Sequence, residues 1–280
     1  MMKTLFHYFL FVMLLCAGVS GALGQQVLDV PVHSAAMNRD IDNVVILPKS
    51  YDGHKRYPVL FLLHGYNMKP ADWLAVRDDL PQLAEHYGML LVCPNGANSW
   101  YIDSAEAPES MYETYVVSEL VPYVDAHYAT LPDREHRAVA GLSMGGHGAL
   151  WLAIRHQSVF SACGSMSGAV DLLPFPNRWG ADKVLGDFHA HRARWSEFSV
   201  CHLVPLIRSG LSIILDCGTA DFFHETNEQL HHALLKQNVP HVYISAPGSH
   251  NRAYWNQSLL FQLLFFAEHF RRQNAPTSAK

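Results

Sequence analysis

The chain is poor in charge. Asp, Glu, Lys and Arg make up 16% of its 280 residues, and 20 basic against 25 acidic side chains leave a net charge of −5 with no long basic run. Nothing in that balance attracts nucleic acid or an anionic membrane as partner. Cysteine is scarce as well: Cys16 falls in the first apolar stretch, which leaves Cys93, Cys163, Cys201 and Cys217. Their spacings form neither a metal knuckle nor a small disulfide scaffold, and Cys93, Cys163 and Cys217 lie in or beside apolar strand-like runs. Buried free thiols are expected. Internal repeats, low-complexity tracts and linkers are also missing. What is present is 49% hydrophobic residues, enough to bury a large core in one domain of about 250 residues.

The N-terminus carries an export pattern. Lys3 precedes "LFHYFLFVMLLCAGV", and Ala22 and Gly24 stand at the −3 and −1 positions before Gln25. This predicts a signal peptide over 1–24, a periplasmic or secreted mature protein, and a single domain over 25–280. The apolar run nears spanning length, but His7 interrupts it and small residues follow at once, so no stable membrane insertion is expected after cleavage.

Along the mature chain, short apolar runs alternate with longer helix-like ones. The strand candidates are "QVLDVPV", "IDNVVIL", "YPVLFLL", "MLLVCP", "RAVAGL", "FSACGSMS", "LSIILDC" and "HVYISA". Several are continuously apolar, as strands covered on both faces of a parallel sheet are. Helix candidates lie around 73–87, 112–128, 145–156, 225–237 and 255–270. The alternation predicts an α/β architecture of about eight strands with helices on both faces, the first two strands forming an antiparallel hairpin at one edge. The stretch 171–209, with "PFPNRWG", has little periodicity and reads as a cap or insertion over the strand ends.

"AGLSMGGHGA" places Ser143 among four glycines, between the strand "RAVAGL" and a helix-like run. It fits G-x-S-x-G, a tight strand-to-helix turn that projects a serine hydroxyl above the sheet. Gly141 and Gly145 are expected where neighbouring backbone comes too close for a Cβ, and Gly146 and Gly148 where the new helix packs.

A serine hydroxyl needs a base, and the base needs an orienting acid. His250 follows the last strand in the loop "PGSH" and is the expected base. Asp221, in "DCGTADFF", is the expected acid, with Asp216 in the same run as a structural alternative. Two backbone N–H groups would have to meet a developing oxyanion: that of Met144, directly after the serine, and that of Tyr66, after "YPVLFLL" and Gly65. His64 reads as a residue that fixes this loop. Such chemistry calls for no cofactor and no metal, and "HAH" at 189–191 reads as a solvated loop rather than a chelating site.

The segments "FLLHGYN", "PNGANSWYID", "REHRAVAGLSMGGHGAL", "CGTADFF" and "GSHNRAYW" together resemble the esterase D family of α/β-hydrolases, which takes in S-formylglutathione hydrolases, feruloyl esterases and tributyrin esterases. The resemblance spans nearly the whole mature chain. It implies the α/β-hydrolase fold, a triad of Ser143, Asp221 and His250, and oxyanion donors at Tyr66 and Met144. "NSWYIDS" and "CGTADFFHETN" look closest to the tributyrin esterase branch, which implies short acyl chains.

The expected function is therefore an exported serine carboxylesterase acting on acetyl, butyryl or hydroxycinnamoyl esters of small molecules or carbohydrates. The alternatives are a glutathione thioesterase, a mycolyl-type acyltransferase and a non-catalytic carbohydrate-binding module. A cytosolic thiol substrate sits poorly with the leader, and a binding module would have lost triad residues. Trp100, Tyr101 and Trp179 are expected to wall the acyl pocket.

Overall fold

The computed structural model describes residues 26–274; the predicted signal peptide lies outside them. Eight strands form one sheet: β1 (Val27–Ser34), β2 (Arg39–Ile46), β3 (Val59–Leu63), β4 (Leu90–Cys93), β5 (Arg137–Leu142), β6 (Ala162–Met166), β7 (Ser212–Gly218) and β8 (Val242–Ala246). Their order is β1-β2-β4-β3-β5-β6-β7-β8. β1 and β2 pair antiparallel at one edge, β2 meets β4 antiparallel, and every pair from β4 onward is parallel.

Strand parity sorts the side chains into two cores. In β3, Val59, Phe61 and Leu63 join the larger core, while Leu60 and Leu62 join the one on the opposite face. The helices are α1 (Asp72–Val76), α2 (Leu80–Tyr87), α3 (Tyr112–Thr114), α4 (Val121–His127), α5 (Met144–Arg155), α6 (Asp182–Leu185), α7 (Arg192–Glu197), α8 (His224–Lys236) and α9 (Arg252–Gln273). Trp73, Leu80 and Ala84 of α1 and α2 pack with Leu259, Leu263 and Phe266 of α9 in the second core. Helix α5 is buried from Met144 to Ile154, and apart from His147, whose Nε2 donates to Phe198 O, that run is apolar or small.

Two expected helices are interrupted. The run 73–87 breaks at Arg77, whose backbone is extended and whose guanidinium pairs with Asp79 at 2.6 and 2.9 Å; Pro81, unable to donate an N–H, then fits the first turn of α2. The run 112–128 contains a π-helical turn, Tyr115–Leu120, immediately before Pro122 removes an i→i−4 donor.

The stretch 171–209 lies between β6 and β7 and contains α6, α7 and two 3₁₀ turns. It is tied down at several points. Trp195 is buried and donates to Gly186 O at 2.9 Å, Ser104 Oγ donates to Val184 O at 3.0 Å, and Arg194 pairs with Glu106. Cys93, Cys163, Cys201 and Cys217 are free thiols.

Candidate active site

Ser143 leaves β5 and becomes the residue before α5, with φ 55° and ψ −117°, a conformation L-residues rarely hold. The glycines around it make the turn feasible. A Cβ on Gly141 would lie 2.2 Å from Gly145 O, and one on Gly145 would lie 2.1 Å from Leu63 O. Backbone cannot yield there. The turn is held by Ser143 N, which donates to Met166 O at 2.9 Å, and by the N–H groups of His147 and Ala169, which both donate to Ser143 O.

The three residues expected to act together meet at the carboxyl ends of β5, β7 and β8. Ser143 Oγ donates to His250 Nε2 at 2.9 Å. The other ring nitrogen, Nδ1, lies 2.9 Å from Asp221 Oδ2 and 3.1 Å from Oδ1; because a carboxylate only accepts, Nδ1 carries the proton. The Asp221 side chain is fully buried, and Phe223 N donates to its Oδ1 at 2.9 Å. Thr219 N donates to Ala246 O and Ala220 N to Gly248 O, both at 2.8 Å, so the acid and histidine loops are stitched together. Asn251 steadies the histidine loop from the other side: its Oδ1 accepts from Tyr254 N as the cap of α9, and its Nδ2 donates to Ser249 Oγ.

Asp216 faces away from this group. It is buried within β7, where it accepts from Ser258 Oγ at 2.5 Å and Gln262 Nε2 at 2.6 Å, and burial raises its pKa to about 6. It anchors α9 to the sheet.

On the other side of Ser143, the loop after β3 brings Gly65 so close that a Cβ there would lie 3.5 Å from Ser143 Cβ. The N–H groups of Tyr66 and Met144 donate to no protein acceptor among the described residues. His64 holds the loop, as expected. Gly96 N donates to its Nε2 at 3.0 Å, its Nδ1 donates to Gly65 O at 2.9 Å, and burial pushes its pKa down. A hydroxyl bonded to an oriented neutral imidazole, with free amides nearby, can attack a carbonyl carbon and hold the resulting oxyanion.

The expected acyl-pocket wall needs correction. Trp100 and Tyr101 are 1% and 0% exposed, so neither offers surface to a substrate. Consecutive left-handed backbone angles turn both rings inward: Tyr101 packs on Gly96 and Gly148 and donates to His64 O at 3.3 Å, and Trp100 Nε1 donates to Trp179 O. Trp179 is partly exposed and stacks on Phe222 at 5.6 Å. Phe222 was not singled out in the sequence, although "DFF" directly after the acid carried it. Two clefts, of about 640 and 570 Å³, are lined by Trp151, Arg155 and Glu197 and by Asn67, Lys69 and Asn98 respectively, and Ser143 lines neither.

A mostly parallel eight-stranded sheet with a serine elbow after its fifth strand defines the α/β-hydrolase class. The family model described as "Putative esterase" matches residues 34–266, and the chain belongs to that esterase family. An esterase of Mycobacterium tuberculosis is 30% identical over 239 residues, covering 74% of this chain and 51% of its own length. The chain thus spans about half the length of that relative. An acetyl esterase of Caldicellulosiruptor saccharolyticus is 25% identical over 82% of this chain and 94% of its own. A solved ferulic acid esterase superposes with a TM-score of 0.75 at 29% identity, over 87% of this chain and 98% of the other.

Proposed function

We propose that the chain is an exported serine carboxylesterase that hydrolyses short acyl esters, its alcohol a small molecule or a carbohydrate. The observation that carries this reading is the hydrogen-bonded line from Ser143 through His250 to Asp221, at 2.9 Å on each side of the imidazole. Ser143 Oγ attacks the ester carbonyl carbon as its proton passes to His250 Nε2. The amides of Tyr66 and Met144 receive the oxyanion, and Asp221 holds the tautomer and stabilises the imidazolium. The carbon–alkoxide bond then breaks, the leaving oxygen takes the proton from Nε2, and an acyl group remains on Ser143. Water, deprotonated by the same histidine, releases it. Acetyl and butyryl chains are the preferred acyl groups, and no metal takes part.

The test is a panel of acetyl, butyryl, feruloyl and thioester substrates assayed with the wild type and Ser143→Ala. The variant loses about 10⁴-fold or more in kcat, and a fluorophosphonate labels Ser143 stoichiometrically in the wild type. EDTA leaves the rate unchanged. Near-normal activity in the variant contradicts the assignment, and a thioester preferred by orders of magnitude reassigns the substrate to the glutathione class. Mass spectrometry of the cell-envelope or secreted protein reads the export half of the proposal, a mature N-terminus at Gln25.

A further inference from the structure

Phe222 is 51% exposed, although it directly follows a carboxylate whose side chain is fully buried. Its ring centroid lies 4.4 Å from that of His250, and the ring of Trp179, carried by the 171–209 stretch, stacks on it at 15°. Phe223, its neighbour, is 1% exposed and packs inward against His250 at 5.3 Å. The two phenylalanines therefore have different surroundings: one fixes the imidazole from within, and the other presents an apolar ring to solvent beside it.

The sheet order says which part of an ester reaches that ring. Tyr66 follows β3 and His250 follows β8, and these strands lie on opposite sides of β5, which carries Ser143. The carbonyl oxygen is drawn toward the Tyr66 and Met144 amides. The leaving oxygen must come within roughly 2.6–3.2 Å of His250 Nε2 to receive its proton. The substrate therefore divides across Ser143, with its alcohol portion directed to the β8 side, where Phe222 and Trp179 lie.

We infer that Phe222, extended by Trp179, is a leaving-group subsite that selects alcohols presenting a ring face, aryl or pyranosyl, over acyclic alcohols. This rests on the proton-donating role proposed for His250. The recognition is contact between a ring face and an aromatic side chain, chemistry that an aryl alcohol and the apolar face of a sugar share.

The experiment holds the acyl group constant as acetate and varies the alcohol: benzyl, a monoacetylated methyl hexopyranoside, and butyl. For the wild type, kcat/KM for at least one ring alcohol exceeds that for butyl by roughly threefold to tenfold; the arm showing the preference names the source of the ring. Phe222→Leu brings the ratio close to unity, Trp179→Leu lowers it in part, and the acetyl-to-butyryl ratio on one fixed alcohol stays as in the wild type. A wild type indifferent to the alcohol overturns the subsite while leaving the esterase reading intact. So does a Phe222→Leu variant that slows every ester equally, or one that alters the acyl-length ratio instead. A wild type that turns over no ester at all overturns the proposed role of Ser143, and the subsite with it.

Discussion

Asp216 in β7 and Asp221 beyond its end serve different partners: the first accepts from Ser258 and Gln262 on α9, and the second faces His250 Nδ1 at 2.9 Å at the carboxyl edge of the sheet. Strand parity places the first, and the loop after Gly218 places the second. Asp216 shares the face of Ile214, which belongs to the core under α9.

Replacing each acid separates the two roles. Asp221→Asn lowers kcat by about 10⁴-fold through the wrong histidine tautomer, with little change in melting temperature. Asp216→Asn turns an amide N–H₂ toward a group that also donates, so it costs about 1–3 kcal/mol of stability while the folded enzyme keeps its kcat. Steady-state kinetics and thermal unfolding on both variants check this. Catalysis lost at 216 and spared at 221 reverses the assignment.

Gly145→Ala drives a Cβ to 2.1 Å from Leu63 O, where backbone sits on both sides. The strand or the elbow must shift, at a cost of about 1–3 kcal/mol or more. The variant unfolds at lower denaturant and loses activity, because the displaced backbone carries both Ser143 and the Met144 amide. Urea melts read the first effect, and fluorophosphonate labelling rates the second.

His64→Leu removes the acceptor for Gly96 N and the donor to Gly65 O together. Orphaning that buried N–H costs about 1–3 kcal/mol. Activity falls mainly in kcat, since the loop that presents the Tyr66 amide is no longer held. A rise in KM alone, with kcat intact, contradicts this role.

Acid weakens the fold. Burial holds His147 and His269 neutral, each with its pKa pushed down to about 4. The unfolded chain takes up these protons near pH 6.5, so the stability they contribute is complete above that pH and lost as pH falls toward about 4. Asp216 acts in the reverse sense. Its pKa, raised to about 6 by burial, lets the native state bind a proton first, so its contribution is present at low pH and lost as pH rises through about 6. Two histidines outweigh one aspartate, and the melting temperature declines from pH 6.5 to pH 4.5. His269→Asn flattens that decline. A pH series of melting curves decides it, and an unchanged slope in the variant rejects the assignment.

The sheet was legible because its central strands are covered on both faces, so that "YPVLFLL" and "LSIILDC" leave no polar face to confuse them with surface helices. The positions of Ser143, Asp221 and His250 were legible for a related reason: each follows a recognisable strand. Helix continuity was not, since a break at Arg77 depends on an ion pair with Asp79 and the π turn on Pro122 meeting its neighbours. Nor could the sequence tell that Trp100 and Tyr101 turn inward. Their φ values of 60° and 57° are set by the packing of the loop, and no residue type at these positions announces them. Phe222 and Phe223 show the same limit: identical in type and adjacent in order, they differ from 51% to 1% in exposure.

The anchoring of the 171–209 stretch has a consequence for how such enzymes diversify. β6 and β7 pair in parallel from Ala162 and Ser212 to Met166 and Asp216, and Ser167 N continues the ladder to Asp216 O at 2.8 Å. The chain leaves β6 after Met166 and re-enters β7 at Ser212, at opposite ends of this parallel pair, and the sheet fixes both points. Doubling the length of a flexible loop between fixed ends adds only about 0.6 kcal/mol of closure entropy. The exposed turn that carries Trp179 can be lengthened or exchanged, altering its stacking on Phe222, while the buried Trp195, Val200 and Leu203 keep the rest of the stretch in the core and Ser143, Asp221 and His250 keep their places. Under the leaving-group subsite proposed above, the choice of alcohol is carried by an exchangeable turn rather than by the catalytic frame.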